Sequence, residues 1–158
     1  MWLIARIAAI VLVVLALRGE RWAYVTFSLL SLLYFPARVG FRLHPQGCEL
    51  TPTVQLAAFS LQNTPHIIIF AAFYGLSWIQ FRRAGRAALV WAGLATLLMG
   101  GLLEVAQGVT GYGHCRLRDL VPDFAGASLA SLLLVWYSHR VKLRERELAP
   151  SVEPPVAA

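Results

Sequence analysis

Five apolar stretches take up most of this sequence, and clusters of Arg, Pro and Gly separate them. They cover residues 2–17, 22–35, 65–81, 87–109 and 120–137. A helix needs about 20 apolar residues to cross a hydrocarbon core ~30 Å thick. We therefore expect an all-α fold, a polytopic membrane helical bundle with about five transmembrane helices.

The composition agrees with a membrane protein. Of the 158 residues 58% are hydrophobic and 14% are charged, whereas soluble domains carry about 25% charged residues. The many apolar residues exclude a disordered chain, and the two cysteines exclude a disulfide-dense secreted scaffold. The net charge of +6 has no aromatic-basic motif beside it, so nucleic acid is not an expected partner.

A single membrane domain is expected over residues 1–147, followed by a disordered tail over 148–158 that lacks apolar periodicity. Residues 2–35 are expected to form an N-terminal helical hairpin whose second helix ends at Pro36. The first stretch is short for a span, and a signal peptide is the alternative, although no small-x-small cleavage pattern follows it.

The segment between the second and third stretches, residues 36–64, is rich in Pro, Gly and polar residues. Within it, residues 53–61 could form a short helix capped by Thr53 and lying in the interface plane. An ordinary loop is the alternative.

The basic residues predict the orientation, because cytoplasmic loops of membrane proteins carry an excess of Lys and Arg. With the loop at 82–86 and the C-terminus in the cytoplasm, nine of the 14 basic residues lie inside: Arg18, Arg21, Arg82, Arg83, Arg86, Arg140, Lys142, Arg144 and Arg146. We therefore expect a multi-pass protein of the inner (cytoplasmic) membrane with its N-terminus outside and its C-terminus in the cytoplasm.

This topology gathers polar residues at the outer ends of the last three stretches: His66, Glu104, Gln107, Asp119 and Asp123. Glu104 and Gln107 are three residues apart and share a helical face. Glu104 lies on the order of 7 Å inside the end of its stretch at 1.5 Å per residue. A carboxylate at that depth is costly unless it has a partner, so a polar site at the outer leaflet is expected.

Structural roles for the same residues remain open. Asp119 fits the cap of a helix N-terminus, where a carboxylate is stabilised. Arg116 and Arg118, with His114 beside them, are the available counter-ions. One arginine that bridges two helix-borne carboxylates would be a structural clamp rather than part of a ligand site.

Catalytic and metal signatures are weak. His66, Glu104, Asp119 and His114 could in principle converge on a metal, but no H-x-x-x-H or H-E-x-x-H spacing is present. No serine lies in a G-x-S-x-G elbow. We expect no metal and no other cofactor, and the sequence offers no direct catalytic signature.

Two further features concern packing. Gly126 and Ala130 have the small-xxx-small spacing that lets membrane helices approach closely. Cys48 and Cys115 fall in loops that the topology places on the same, oxidising side, where they could form one disulfide. Two free thiols are the alternative.

The stretch GLLEVAQGVTGYGHCRLRDLVPDFAGASLASLL resembles the C-terminal signature of the VanZ-like membrane proteins. The family pattern is a Glu, a Gln three later, an Asp fifteen after the Glu, an Asn four beyond it and a Gly three further. The matching residues here are Glu104, Gln107, Asp119, Asp123 and Gly126.

NTPHIIIFAAFYGL resembles the family's Asp-Lys-x-x-His segment, with His66 at the histidine and Asn63 and Thr64 at the Asp and Lys. Two other departures are Asp123 in place of the Asn and Gly113 in place of an arginine. The resemblance covers about residues 60–137.

The resemblance implies a small multi-helix protein of the cell envelope, in a family whose best-known member confers low-level teicoplanin resistance. The expected ligand of the polar site is a lipid, a lipid-linked envelope precursor or a lipoglycopeptide. One alternative is a membrane-embedded enzyme that uses Glu104 and His66 on such a precursor. Another is a structural subunit that binds a membrane protein partner or forms a homo-oligomer.

Overall fold

The structure, a computed structural model, describes residues 2–51 and 53–148. Its helices are α1 (Trp2–Leu17), α2 (Arg21–Arg38), α3 (Val54–Ser60), α4 (Thr64–Phe81), α5 (Ala87–Thr110) and α6 (Leu120–Leu148), with 3-10 turns at Arg82–Ala84 and Leu117–Asp119. No β-strand occurs within these ranges; an isolated bridge pairs Glu49 with Arg116. The all-α expectation is confirmed. Apart from Leu148, the expected tail lies outside the described residues.

Two helical segments are long and apolar enough to cross a membrane, Ala87–Thr110 and Leu117–Glu145. A third span results if Val54–Ser60 and Thr64–Ala84, which meet at a bend of 74°, count as one broken crossing. α1 is apolar but has only 16 residues, or roughly 24 Å at the helical rise. By length and composition the described residues therefore contain two candidate spans, or three with the bent pair, and these criteria do not confirm about five.

Two expected helix ends are wrong. α2 continues through Pro36 to Arg38, because a proline in the last turn removes only one helical hydrogen bond. α6 continues past residue 137 to Leu148. The polar residues there remain helical, and the Arg140 guanidinium lies 5.4 Å from the centre of the Trp136 ring.

α4 lies at the centre and packs against α1, α2, α5 and α6. Its contact with α6 depends on Gly126, where any side chain would collide with the backbone carbonyl of Ile67 on α4. Ala127 and Ala130 follow on the same face of α6 and are buried with Tyr74. The small-residue face therefore brings the start of α6 directly against the start of α4.

The N-terminal hairpin of α1 and α2 packs onto the other side of α4. Leu12, Ala16 and Ala23 form a buried cluster with Leu76 of α4. The outer faces of the bundle are apolar: Ile10, Leu98, Leu132 and many other large hydrophobic side chains are exposed. A continuous apolar surface of this kind is typical of a face that contacts another apolar phase, such as lipid.

The candidate polar site at the ends of α4, α5 and α6

One end of the bundle brings together four titratable residues from different elements. His66 lies in the first turn of α4, Glu104 in the last third of α5, Asp119 in the turn before α6 and Asp123 in the first turn of α6. Asp123 is 1% exposed and Glu104 is 6% exposed. We call His66, Glu104, Asp119 and Asp123 the polar site.

His66 and Asp123 form the shortest link in the polar site. Nδ1 of His66 donates to Oδ1 of Asp123 across 3.0 Å. The imidazole stacks on Phe70, one helical turn further along α4, and the His66 side chain is 32% exposed. A buried carboxylate thus orients a histidine whose ring remains partly accessible.

Space for Asp123 comes from a glycine of α5. A methyl group at Gly100 would lie only 2.6 Å from Oδ2 of Asp123, whereas one at Gly101 would meet nothing within 4 Å. Gly100 therefore belongs to the site architecture, although the sequence analysis did not name it. A glycine pair inside an apolar helix is the signal that could have found it, since such glycines often mark close packing.

Glu104 is held by the backbone of the loop that follows α5. Its Oε2 accepts a hydrogen bond of 2.8 Å from the backbone N–H of Arg116. The guanidinium groups of the two loop arginines point elsewhere. Nε of Arg116 and Nη1 of Arg118 each lie 3.6 Å from a carboxylate oxygen of Glu49.

Among the residues that the structure describes, the clamp in which one arginine would bridge two helix-borne carboxylates is not formed. Instead one carboxylate, that of Glu49 in the segment between α2 and α3, lies between Arg116 and Arg118. Glu49 follows Cys48 directly, as Arg116 follows Cys115. A disulfide between Cys48 and Cys115 therefore brings the next residues, Glu49 and Arg116, beside each other.

Cys48 and Cys115 do form a disulfide, with Cα atoms 4.7 Å apart. The bond lies against Gly108 of α5. Backbone hydrogen bonds flank it, from the N–H of Glu49 to the carbonyl of Cys115 and from the N–H of Leu117 to the carbonyl of Glu49. The loops of residues 44–49 and 113–118 thus form one cross-linked rim over the ends of the helices.

Asp119 contributes charge without a side-chain hydrogen bond among the residues described. It lies close enough to act electrostatically on His66, Glu104 and Asp123. The capping bond that the sequence allowed for Asp119 is not formed. The polar site therefore combines three carboxyl groups with one imidazole.

Gln107 lies outside the polar site. Its side-chain oxygen packs against Gly113, where an added methyl group would lie 2.8 Å away. Gly113 has a φ of +110°, a backbone conformation that residues with a side chain rarely adopt. An arginine at 113, as in the VanZ-like pattern, would be strained here. His114 is exposed on the rim.

The geometry of the four residues considered as metal ligands can be compared with that of a metal site. In the described ranges no group of three or more His, Cys, Asp or Glu side chains is arranged so that it could hold a metal ion. The three carboxyl groups instead offer hydrogen-bond acceptors, and the rim arginines offer donors.

No family model, no curated protein and no solved structure matches this chain. The resemblance to VanZ-like proteins therefore rests on the residues quoted above, and functional inference rests on the geometry of the polar site.

Proposed function

We propose that the chain is a multi-pass protein of the cytoplasmic membrane of the cell envelope, with the polar site on the outer face. About five crossings follow if α1, α2, the broken pair α3 and α4, α5 and α6 each traverse the bilayer. Two observations support this orientation. Disulfides persist in oxidising compartments, and the Cys48–Cys115 bond lies at the polar end. Arg82 and Arg83 lie at the opposite end of α4, where basic residues mark the cytoplasmic side.

The polar site is proposed to bind the polar head of an envelope lipid, a lipid-linked envelope precursor or a lipoglycopeptide. The observation that carries this proposal is the partly exposed His66, held by buried Asp123 beside Glu104 and Asp119. Ionised carboxyl groups accept hydrogen bonds and do not donate them. The matching part of the ligand is thus a hydroxyl-rich or amine-bearing group, such as a sugar or an amino sugar.

The rim arginines suit the acidic part of the same ligand. Arg116 and Arg118 contact Glu49 at 3.6 Å and keep part of their surface exposed. A phosphate or carboxylate would form shorter, charge-assisted hydrogen bonds with them. Ile68, Ile69 and Phe124 are exposed next to His66 and Asp123, and they offer apolar surface to an acyl or polyprenyl chain.

Binding can be measured with the protein in lipid nanodiscs. A polyprenyl-phosphate-linked saccharide, the same saccharide without its lipid, and teicoplanin would be titrated in turn. We expect Glu104→Gln to weaken binding about tenfold or more, since a buried polar group left without its hydrogen-bond partner costs about 1–3 kcal/mol. Glu145→Gln, an exposed carboxylate near the other end of α6, is the matched control. Equal affinity of both variants would contradict the proposal.

A role in glycopeptide resistance would be one consequence of such binding. A susceptible host that expresses the chain is expected to tolerate more teicoplanin, and Glu104→Gln at equal expression is expected to remove the gain. Unchanged tolerance would limit the proposal to envelope lipids.

The His66–Asp123 hydrogen bond favours one second candidate, an enzyme acting on a lipid-linked precursor. A carboxylate that orients a histidine is the usual arrangement of a general base. His66 would accept a proton from an attacking hydroxyl, with Glu104 as the second acid or base. Product formation by the purified protein, abolished by His66→Gln, would establish catalysis; binding without product would favour the first proposal.

The third alternative, a structural subunit, predicts a different outcome. In that case Glu104→Gln would lower expression or thermal stability in detergent. It would not give a folded variant that has lost only ligand binding.

A further inference from the structure

A second polar feature lies at the opposite end of the bundle, between the turn that joins α1 to α2 and the end of α4. It is a crevice of about 470 Å³ lined by Arg18, Glu20, Arg21, Gln80, Arg82 and Arg83, among others. We call it the arginine crevice. None of its residues belongs to the polar site.

Positive charge exceeds negative charge in the crevice, because four arginines and one carboxylate, that of Glu20, line it. Within the described residues, none of its four arginines forms an ion pair, whereas Arg116 and Arg118 at the other end both pair with Glu49. Arg82 reaches across to the α1–α2 turn, because its Nη2 lies 3.7 Å from where a side chain on Gly19 would begin. Guanidinium groups that line the same crevice repel one another, so an anion bound among them would be stabilised.

The start of α2 opens onto the same crevice. Glu20 precedes the helix without forming a side-chain cap, and the first turn of α2 contains no acidic residue. The backbone N–H groups of a helix N-terminus bind phosphate readily when no side chain caps them. The geometry therefore adds backbone donors to the arginine donors.

The side chain of Gln80 gives an indication of a ligand in the crevice that is independent of the arginines and of the helix end. It is 7% exposed, and its Nε2 donates to the carbonyl of Ala16 across 2.7 Å. Its Oε1 is buried and has no hydrogen-bond partner among the residues described. A buried acceptor without a partner is unfavourable, and a hydroxyl group of a ligand would satisfy it.

Trp22 indicates where the crevice lies relative to lipid. It is exposed beside Arg21 at the start of α2, and tryptophan is enriched at the level of lipid headgroups. The inner leaflet is also where anionic lipids attract basic residues.

We infer that the arginine crevice binds a phosphate group that carries a neighbouring hydroxyl. An anionic phospholipid with a glycerol headgroup is one source of this chemistry, and free glycerol phosphate is the other. The inference is independent of the polar site, and only the leaflet rests on the topology under the proposed function.

The test compares phosphatidylglycerol, which is anionic, with phosphatidylcholine, whose phosphate is balanced by a quaternary ammonium group and which has no headgroup hydroxyl. Native mass spectrometry of the full chain in detergent counts the lipids retained, and titration gives relative affinities. We expect phosphatidylglycerol to bind at least tenfold more tightly, and the double variant Arg21→Gln, Arg82→Gln to lose that preference. Arg86→Gln, an exposed arginine outside the crevice, should keep it.

A second variant tests the contact with the ligand hydroxyl, and a soluble competitor distinguishes a lipid from free glycerol phosphate. Gln80→Leu should reduce the preference for phosphatidylglycerol over phosphatidic acid, which lacks the glycerol hydroxyls. Millimolar glycerol phosphate that displaces the lipid would assign the crevice to a soluble ligand, whereas no displacement assigns it to lipid. Equal binding of phosphatidylglycerol and phosphatidylcholine, or equal loss in the Arg86→Gln control, would overturn the inference. Helical circular dichroism of each variant verifies that it is folded.

Discussion

The backbone N–H of Arg116 donates a hydrogen bond to the buried carboxylate of Glu104, twelve residues earlier in the chain. The side chain of the same arginine faces Glu49 on the other side of the rim. Arg116 therefore links the buried carboxylate of α5 to the disulfide-linked loops. Its backbone N–H holds Glu104, its guanidinium pairs with Glu49, and under the proposed function a ligand phosphate would compete with Glu49 for that guanidinium.

Replacing Glu49 by Gln should separate these two roles of Arg116. Ion pairs between exposed side chains contribute about 0–1 kcal/mol, and both pairs of Glu49 are partly exposed. We expect the free energy of unfolding in detergent to change by less than about 1 kcal/mol, and affinity for a lipid-linked phosphate to rise. Lower affinity would show that Glu49 itself contacts the ligand.

Removing His66 should destabilise the protein, because Asp123 would remain buried without its partner. His66→Ala is expected to cost about 1–3 kcal/mol in the free energy of unfolding, the penalty for an unsatisfied buried polar group. Asp123→Asn keeps an acceptor oxygen for His66 and should change stability much less. Equal destabilisation by both would mean that the negative charge, rather than the hydrogen bond, maintains this packing.

Gly100 and Gly101 form a matched pair on α5. Gly101→Ala meets open space and should stabilise the helix by up to about 1 kcal/mol through helix propensity. Gly100→Ala would push against Asp123, and overpacking of this kind typically costs about 1–3 kcal/mol. Thermal unfolding in detergent compares the two variants, and similar melting temperatures would contradict the close approach of α5 and α6.

Gly126 and Gly75 provide the same comparison for the contact between α4 and α6. A side chain at Gly126 would collide with the backbone of α4, whereas one at Gly75 would meet nothing within 4 Å. Gly126→Ala should therefore lower the melting temperature and weaken ligand binding at the polar site, and Gly75→Ala should do neither. Unaltered binding in Gly126→Ala would place the ligand away from the α4–α6 contact.

Thiol labelling tests the topology directly. A membrane-impermeant maleimide added to intact spheroplasts should label Cys48 and Cys115 only after a reductant is added, because the two form a disulfide at the outer face of the proposed topology. The double variant Cys48→Ser, Cys115→Ser is the control for background labelling. Labelling that requires an opened inner face would invert the topology and remove the basis for an envelope ligand.

Local patterns in the sequence predicted the helices well. α1 has the predicted bounds, and α5 ends one residue beyond its apolar stretch, because charged or glycine residues flank both. Thr53 caps α3, so of the two alternatives for that segment, a capped short helix and an ordinary loop, the helix is the one formed. The ends of α2 and α6 were missed because the apolar pattern stops before each helix ends. In α2 the late proline leaves the other backbone hydrogen bonds of the last turn in place, and in α6 the polar extension remains helical.

Which residues surround the polar site is determined by contacts between parts of the chain that are distant in sequence. The predicted topology indicated that His66, Glu104 and Asp123 share one end of the bundle, and the structure places them together. The role of Glu49 could not be predicted without the disulfide partner, and that of Gly100 required the packing of α5 against α6. Gln107 matched the family spacing but lies against Gly113, outside the polar site.

The disulfide also imposes an order in time on the making of this protein. Cys48 and Cys115 are separated by 67 positions, so during synthesis the first emerges well before the second, and α3, α4 and α5 are made between them. Under the proposed topology, the disulfide closes only after α5 has crossed the bilayer and Cys115 has reached the side of the membrane that holds Cys48. A nascent chain in which α5 does not cross would then keep two unpaired thiols, so formation of the Cys48–Cys115 bond would report that α5 has been inserted.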